Sequence, residues 1–394
     1  MNIAVQACKP TRTSYITIYK KSYERLKTME RIYNFSSVQS TLPSEVVELI
    51  KAEFENYAKA AIPVIEVDKT SSEYAEIASS AEALLRELLN IPQNYRVLFM
   101  QGGTEFQHSA IPLNLLSEHK CADYIVSGQQ SKVASLEAKK YGDIAIAASS
   151  AGATPAFSTV PETKRSDFRP DADYVHITFN NSVYGTKFHY VPDTGNIPLV
   201  ADMSSFLLSE PVEISKFALI YANAESCIGA SSLTVVIVRE DLISTAHRDI
   251  PGILNYKLVG EGSTVKSTAP ATSLFIMRLV LEWIKSIGGL EEMKRRNERK
   301  ASRLYDYLDS QLYYTAPVDK KCRSMMNIIF VTGDASLDAK FAAEAAAEGL
   351  CNLGGHGSVG GMCASIYNAM PIEAVDKLVA FMKKFAQENP KLEA

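Results

Sequence analysis

The sequence lacks the spacings that mark a disulfide framework or a metal site. Its six cysteines include no CxxC pair and no regular spacing, which favours a reducing compartment. Its six histidines show no HxxxH or HExxH pattern, so no metal site is expected. No apolar run approaches the roughly 18 residues that a membrane span needs. The net charge of −4 gives no reason to expect nucleic acid or an anionic membrane as a partner, and we expect a soluble, cytoplasmic protein.

The composition is that of an ordinary globular chain with an unusual beginning. Of 394 residues, 46% are apolar and 22% are charged, which is ample material for a buried core. Residues 1–28 carry six basic residues against one acid, Glu24. Such a segment is typical of an organelle transit peptide, which would place the protein in an organelle matrix. The alternative is a disordered tail or an over-long gene model.

Short β-rich apolar runs alternate with helical patterns along most of the chain. The runs cover residues 97–100, 124–127, 144–147, 174–178, 199–202, 217–221 and 233–239. Amphipathic helices are predicted between several of them, with Ser72–Leu89 the clearest, and Ser44 is expected to cap an earlier helix. This alternation predicts an α/β fold built on a mainly parallel, doubly wound sheet.

A second, smaller α/β domain is expected at the C-terminal end. Long helical patterns over 271–286 and 291–311 lead to strands at 326–331 and 363–367. We therefore divide the chain into a basic extension (1–28), a large domain (29–285) and a small domain (286–394).

The segment Phe217–Gly229, FALIYANAESCIG, carries the most informative pattern. It reads as a buried strand ending in a short polar loop, Tyr221–Gly229, which we call the tip; the strand Leu233–Arg239 follows. The tip aligns without a gap to the YAGAQKN(I/L)G segment of phosphoserine aminotransferases, and from Tyr33 onward nearly the whole chain resembles that family. These are class V aminotransferases of the aspartate-aminotransferase-like fold type I, which implies a mainly parallel seven-stranded sheet.

The resemblance implies pyridoxal 5′-phosphate as the cofactor and assigns roles to several positions. In the family, the tip lysine forms the Schiff base with the cofactor, and here Ser226 occupies that position. A serine has no amine, so no catalytic residue is assigned and covalent binding of the cofactor is not expected. Asp202 matches the carboxylate that pairs with the pyridine nitrogen, and Ser182 replaces a threonine near the ring hydroxyl.

Other cofactor positions are partly retained. A glycine turn, residues 102–105, precedes a helix start that favours a phosphate. The remaining cofactor-binding candidates implied by the resemblance are Gly103, Thr104, Gln130, Glu225, Ser267 and Thr268. Gln130 stands where the family has a tryptophan that stacks on the ring, and Glu105 would repel the cofactor phosphate.

The substrate positions depart furthest from the family pattern. The family's Ser-His-Arg reads Asp68-Lys69-Thr70, and its GHRSVGGMR reads GHGSVGGMC over residues 355–363. Arginines that bind substrate anions are thus replaced by Thr70, Gly357 and Cys363, whereas His356 is retained. Segments around these positions keep the family pattern almost letter for letter, so the losses concentrate at the site.

Three functions are compatible with this pattern. The first is a catalytically inactive family member that acts as a dimerising or regulatory subunit, as a homodimer or as a heterodimer with an active member. The second is an active aminotransferase that converts 3-phosphohydroxypyruvate and glutamate to phosphoserine and 2-oxoglutarate. The third is a non-covalent binder of an amino acid or of pyridoxamine phosphate.

Overall fold

The structure is a computed structural model that describes residues 31–54, 57, 62–117, 119–243, 249–261 and 269–391. The predictions for residues 1–28 and for Ser267 and Thr268 therefore lie outside the described residues. No helix in the described ranges is long and apolar enough to cross a membrane. The same ranges contain no group of three His, Cys, Asp or Glu side chains arranged to hold a metal ion.

A seven-stranded sheet forms the centre of the larger part of the molecule. Its strands, in spatial order, are β2 (Tyr95–Gln101), β10 (Leu233–Arg239), β9 (Leu219–Asn223), β8 (Leu199–Asp202), β5 (Tyr174–Thr178), β3 (Cys121–Val126) and β4 (Asp143–Ser149). Only β10 runs antiparallel to its two neighbours; the pairs among the other strands are parallel. The central strands are rich in buried Val, Ile and Leu because helices cover both faces there, whereas the edge strand β4 is partly exposed.

Helices pack on both faces of this sheet. They are α1 (Ser44–Glu53), α2 (Ser72–Leu89), α3 (Thr104–Leu115), α4 (Gln129–Ala138), the short α5 (Glu240–Ile243) and α6 (Tyr256–Gly260), and α7 (Ala271–Ser286). One hydrophobic core lies beneath α2 and α7, and a second lies beneath α3 and α4. The expected fold-type I architecture with a mainly parallel sheet is confirmed.

A separate core forms around the C-terminal elements. These are α8 (Gly289–Asp309), β11 (Asn327–Phe330), α9 (Ala335–Ala347), β12 (Leu350–Cys351), β13 (Met362–Ser365) and α10 (Ile372–Glu388). The N-terminal strand β1 (Tyr33–Asn34) pairs in parallel with β12, and the fully buried Phe35 packs in this core. A short hairpin of β6 (Asn180–Asn181) and β7 (Thr186–Lys187) completes the strands described.

The predicted helices and strands agree with the structure except at some ends. The predictions for α2, β5, β8, β10 and α7 match to the residue. The prediction that Ser44 caps α1 is wrong, because the helix already includes Ser44 and Pro43 is the N-cap residue. The Ser44 hydroxyl instead accepts a hydrogen bond from Arg31 at 3.4 Å.

Candidate functional site

The candidate site lies where β8 and β9 end and where α3 and α4 begin. In a parallel sheet the carboxyl ends of the strands and the following helix starts share one edge, which is where ligands bind in open α/β folds. Asp202 is the last residue of β8 and is paired in register with Thr178 of β5 and Tyr221 of β9. The paired side chains point to the same face of the sheet.

Asp202 is a buried carboxyl group with few strong partners. Its Oδ1 accepts hydrogen bonds from the Ser204 backbone N–H at 2.9 Å and from the Ser204 hydroxyl at 2.6 Å. Burial raises the pKa of Asp202 to about 6, although the bonds from Ser204 and Tyr221 lower it. The neighbouring Thr178 hydroxyl is buried and has no hydrogen-bond partner in the described part of the chain. This edge therefore offers a proton acceptor and an unused polar group.

The tip is closed by backbone hydrogen bonds. Ala224 N–H donates to Leu233 O at 2.8 Å, and Gly229 N–H donates back to Ala224 O at 2.6 Å. Gly229 has φ of +84°, and a Cβ there would lie 2.4 Å from Leu42 Cδ2, so the turn requires glycine. Ser226 is buried within this fixed loop.

Ser226 lies beside the Tyr367 hydroxyl. Burial raises the pKa of Tyr367, and the Ser226 hydroxyl next to it lowers that pKa. The Tyr367 hydroxyl donates to Ser37 O at 2.9 Å and accepts from Asn327 Nδ2 at 3.0 Å. Cys227, the next residue, has a thiol whose pKa burial raises, so it is a poor nucleophile.

Two lysines are buried in the described residues, and both are engaged away from Ser226. Lys300 Nζ donates to the carbonyl oxygens of Ile366 at 2.9 Å and Tyr367 at 2.6 Å. Burial lowers the pKa of Lys300 to about 7. Lys187 Nζ forms an ion pair with Glu210 at 2.8 Å. Neither amine hydrogen-bonds to the tip serine.

The glycine turn is bordered by carboxylates. Gly103 is the N-cap residue of α3, and Thr104 begins the helix and is buried. The Glu105 side chain folds back over this helix start, because its Oε2 lies 2.7 Å from where a Cβ on Gly103 would be. Glu225 Oε2 accepts from Asn223 Nδ2 at 3.2 Å, and that amide lies 3.6 Å from the same point. Neither glutamate forms an ion pair with a described residue.

Three further predicted positions are Gln130, Ser182 and Cys363. Gln130 is half-buried in the first turn of α4. Cys363 Sγ makes a long contact of 3.9 Å with the backbone oxygen of the half-buried Ser182, so the fold brings these two predicted positions together. Burial raises the pKa of the Cys363 thiol to about 11, which leaves a neutral group in place of the family's arginine.

The other substrate positions are exposed. The Thr70 N–H and hydroxyl both donate hydrogen bonds to Asp68 Oδ1, at 2.7 Å and 2.5 Å. These bonds form an exposed turn before α2, and Lys69 is exposed in the same turn. His356 is also exposed and its Nδ1 lies 2.8 Å from the Ser358 hydroxyl. A Cβ added at Gly357 would have no atom within 4 Å, so the backbone there would accept a larger side chain.

Sequence reasoning did not identify two tyrosines that complete the site. Tyr221 lies beside Asp202 and its hydroxyl is 3.0 Å from His176 Nε2, whereas Tyr367 contacts Ser226 from the C-terminal part. The register between β8 and β9 places Tyr221 beside Asp202. Packing of the C-terminal part against the tip places Tyr367 beside Ser226. The YAN start of the tip was the only signal for Tyr221, and no local pattern pointed to Tyr367.

Comparison with known proteins identifies the family of this chain. Residues 32–378 match the aminotransferase class-V family model. The chain is 45% identical to a phosphoserine aminotransferase of Bacillus cereus over 361 residues, which are 92% of this chain and 100% of that protein. It is 43% identical over 361 residues to a Pseudomonas putida phosphoserine aminotransferase, covering 91% of this chain and 99% of that protein.

Solved structures give the same result. Phosphoserine aminotransferase from Bacillus circulans subsp. alkalophilus superimposes with a TM-score of 0.87 at 39% identity, covering 91% of this chain and 99% of that one. The pyridoxal-phosphate-bound phosphoserine aminotransferase from Trichomonas vaginalis superimposes with a TM-score of 0.83 at 34% identity, covering 90% of this chain and 100% of that one. The chain therefore belongs to the phosphoserine aminotransferase family of class-V aminotransferases.

Proposed function

We propose that this chain is a phosphoserine aminotransferase family member that does not transaminate and that acts as a dimerising or regulatory subunit. The observation that carries the proposal is the absence of an amine at the tip. Ser226 stands at the family's lysine position, and both buried lysines of the described residues are engaged elsewhere. Transamination needs that amine both as the covalent attachment and as the proton-transfer group.

Family membership implies pyridoxal 5′-phosphate as the cofactor. The site residues of this chain suit the ring of that molecule but not its phosphate group or its covalent attachment. The buried carboxyl group of Asp202 suits the pyridine nitrogen. The Glu105 carboxylate covers the helix start that would hold the phosphate, and Glu225 adds a second negative charge nearby. With Ser226 unable to form an imine, neither the phosphate end nor the covalent attachment fits, and we derive no reaction through the cofactor.

The substrate end supports the same proposal. Thr70, Gly357 and Cys363 replace three arginines that the family resemblance assigns to anion binding. Each charge-assisted arginine contact contributes about 1.5–3 kcal/mol, so their loss would weaken binding of a phosphorylated amino acid by roughly three to six powers of ten if the effects add. Cys363 is buried and neutral, and Thr70 is committed to its turn with Asp68.

Two experiments test the proposal together. The purified protein is mixed with one equivalent of pyridoxal phosphate, reduced with borohydride, digested and mapped by mass spectrometry, and is assayed with 3-phosphohydroxypyruvate and glutamate. Because exposed lysines also form reducible imines, we expect only low labelling spread over them, with no single residue labelled stoichiometrically, and no transaminase activity. The Ser226→Lys variant is the matched control, since it restores an amine at the same position and is expected to gain the adduct while remaining inactive.

Ordinary aminotransferase activity is the competing function, because relatives at 43–45% identity carry that name. Turnover by the wild-type chain at a rate comparable to those relatives would refute our proposal. Non-covalent binding of pyridoxamine phosphate or an amino acid is favoured specifically by the raised pKa of Asp202 and by the unpartnered Thr178 hydroxyl. In that case a ligand-induced rise in melting temperature should disappear in Asp202→Asn.

The subunit role rests on the family's dimeric assembly, which the retained fold would allow. Among the exposed large apolar side chains, Phe106, in the first turn of α3 beside the glycine turn, is half exposed, and Ile65, elsewhere on the surface, is 65% exposed. Such groups favour burial against a second subunit. Light scattering of the protein alone and after co-expression with an active phosphoserine aminotransferase distinguishes a homodimer from a heterodimer, and monomers in both samples would exclude the subunit role.

A further inference from the structure

A cavity of about 660 Å³ lies apart from the candidate site, between the start of α1, helix α8 and the start of α10. None of the predicted site residues lines it. Its volume falls within the range of about 300–1,000 Å³ typical of small-molecule sites. The nature of its lining indicates which class of molecule it would take.

Basic side chains outnumber acidic ones around this cavity. The basic residues are Arg31, Arg295, Arg296, Arg299 and Lys300, and the acidic residues are Glu45, Glu292 and Glu373. Glu292 accepts hydrogen bonds from both Arg295 and Arg296, at 2.7–2.8 Å, and so neutralises part of their charge.

Two guanidinium groups remain without a carboxylate partner in the described residues. Arg31 donates only to hydroxyl groups, those of Thr41 at 2.8 Å and Ser44 at 3.4 Å. Arg299 is exposed and has no hydrogen bond or ion pair with any residue described. Because an arginine presents a planar fork of donors, both groups are suited to bind phosphate or carboxylate oxygens.

Two helix starts add to the positive potential. Helix α1 begins at Ser44 and helix α10 begins at Ile372, and both residues line the cavity. Proline precedes each helix, and in the part of the chain that is described no side chain caps either one. The first-turn N–H groups and the helix dipoles therefore favour an anion, although Glu45 and Glu373 offset part of this effect.

We propose that this cavity binds a small polyanion, a molecule with at least two phosphate or carboxylate groups. More than one anionic group is needed because the unpaired arginines belong to different walls, Arg31 to the N-terminal segment and Arg299 to α8. This site is separate from the cofactor position, so it holds whether or not the chain transaminates.

The cavity also adjoins residues that contact the tip. Lys300 and Asn368 line the cavity, and the Lys300 ammonium group holds the carbonyl oxygen of Tyr367. The Asn368 amide donates to Cys227 O at 3.3 Å, and the Tyr367 side chain lies beside Ser226. A ligand in the cavity would thus contact Asn368, which hydrogen-bonds to the tip, and Lys300, which hydrogen-bonds to the backbone of Tyr367 beside it.

The single tryptophan of the chain gives a direct test. Trp283 lines the cavity, so the tryptophan fluorescence of the protein reports changes beside this cavity. Inorganic pyrophosphate is titrated into the full-length protein at constant ionic strength, with calorimetry in parallel. We expect a saturable fluorescence change with the same affinity as the calorimetric signal.

Matched arginine variants decide where the anion binds. Arg31→Ala and Arg299→Ala should each weaken pyrophosphate binding by about tenfold or more, because each removes a charge-assisted pair. Arg303→Ala is the control, an exposed arginine on the same helix that does not line the cavity, and should change the affinity by less than about twofold.

Three results would overturn the proposal. The first is no saturable binding beyond that of a sodium chloride control. The second is an equal loss of affinity in Arg303→Ala, which would indicate attraction to the general charge of α8. The third is binding that leaves the Trp283 fluorescence unchanged, that Thr104→Ala abolishes and that Arg299→Ala does not weaken. Such a result would place the anion at the glycine turn.

Discussion

At the scale of a single residue, the Asp202 carboxyl group should make the stability of the protein depend on pH. Burial raises its pKa from an ordinary value of 3.8 to about 6 in the folded protein. Between these two values the folded chain binds more protons than the unfolded chain. The free energy of unfolding should therefore fall as pH rises through this window, and the loss is complete above about pH 6.

Replacing Asp202 with asparagine should remove this pH-dependent loss. From pH 4 to pH 7 we expect the wild type to lose roughly 2–3 kcal/mol of stability relative to Asp202→Asn, because a shift of one pKa unit corresponds to about 1.4 kcal/mol. Urea unfolding of both proteins at several pH values measures the difference. Parallel curves across the window would show that the Asp202 carboxyl group is not perturbed by folding.

Glu105 should control anion binding at the glycine turn. Its carboxylate lies over the first turn of α3, where a phosphate would otherwise approach the backbone N–H groups. Removing a negative charge about 4 Å from a phosphate is worth about 1 kcal/mol or more, so Glu105→Gln should bind pyridoxamine phosphate roughly fivefold or more tightly.

Calorimetric titration measures this gain, and Glu73→Gln is the control because Glu73 is also a first-turn glutamate but belongs to α2. Equal affinities in Glu105→Gln and the wild type would mean that the turn does not bind phosphate even without its carboxylate.

Among structural elements, the tip packs against the segment that precedes α1. Gly229 has φ of +84° and a Cβ there would lie 2.4 Å from Leu42 Cδ2, so the end of the Leu42 side chain would have to shift, whereas Gly289 has φ of +74° and nothing within 4 Å of a Cβ. Both substitutions to alanine incur the left-handed backbone penalty of about 1–2 kcal/mol, but only Gly229→Ala adds a steric clash.

We therefore expect Gly229→Ala to lower the free energy of unfolding by roughly 1 kcal/mol more than Gly289→Ala, because the end of the Leu42 side chain must move. Chemical denaturation of the two variants measures this difference. If both lose the same amount, Leu42 moves aside without cost and the tip does not depend on the segment before α1.

For the whole molecule, the N-terminal segment stabilises the C-terminal core. Phe35 is fully buried among residues of α8, α9 and α10, and its N–H donates to Cys351 O at 2.9 Å. Phe35→Ala should lower the free energy of unfolding by about 3–5 kcal/mol through loss of burial and creation of a cavity.

Hydrogen exchange should then show the larger loss of protection in β12, β13 and α10, with β8 and β9 less affected. Ile32→Ala, at a side chain that is 55% exposed, serves as the control and should change stability by less than about 0.5 kcal/mol. Loss of protection confined to the seven-stranded sheet would contradict this assignment.

Local sequence signals were enough to predict most elements of the fold. Runs such as Leu233–Arg239 contain β-branched residues that suit a sheet covered on both faces, and Ser72–Leu89 has the apolar spacing of an amphipathic helix. The prediction for α1 erred at Ser44 because a serine beside proline fits either the N-cap or the first turn, and only the backbone decides between them.

The sequence by itself determined what the chain has lost: no amine at Ser226, and no arginine at Thr70, Gly357 or Cys363. Those are properties of single side chains, and they hold whatever the packing. Tertiary structure alone decided that Glu105 covers its own helix start, that Lys300 serves three carbonyl groups, and that arginines from distant segments share one cavity. Such contacts depend on strand register and helix packing between residues far apart in the chain, and no local pattern specifies them.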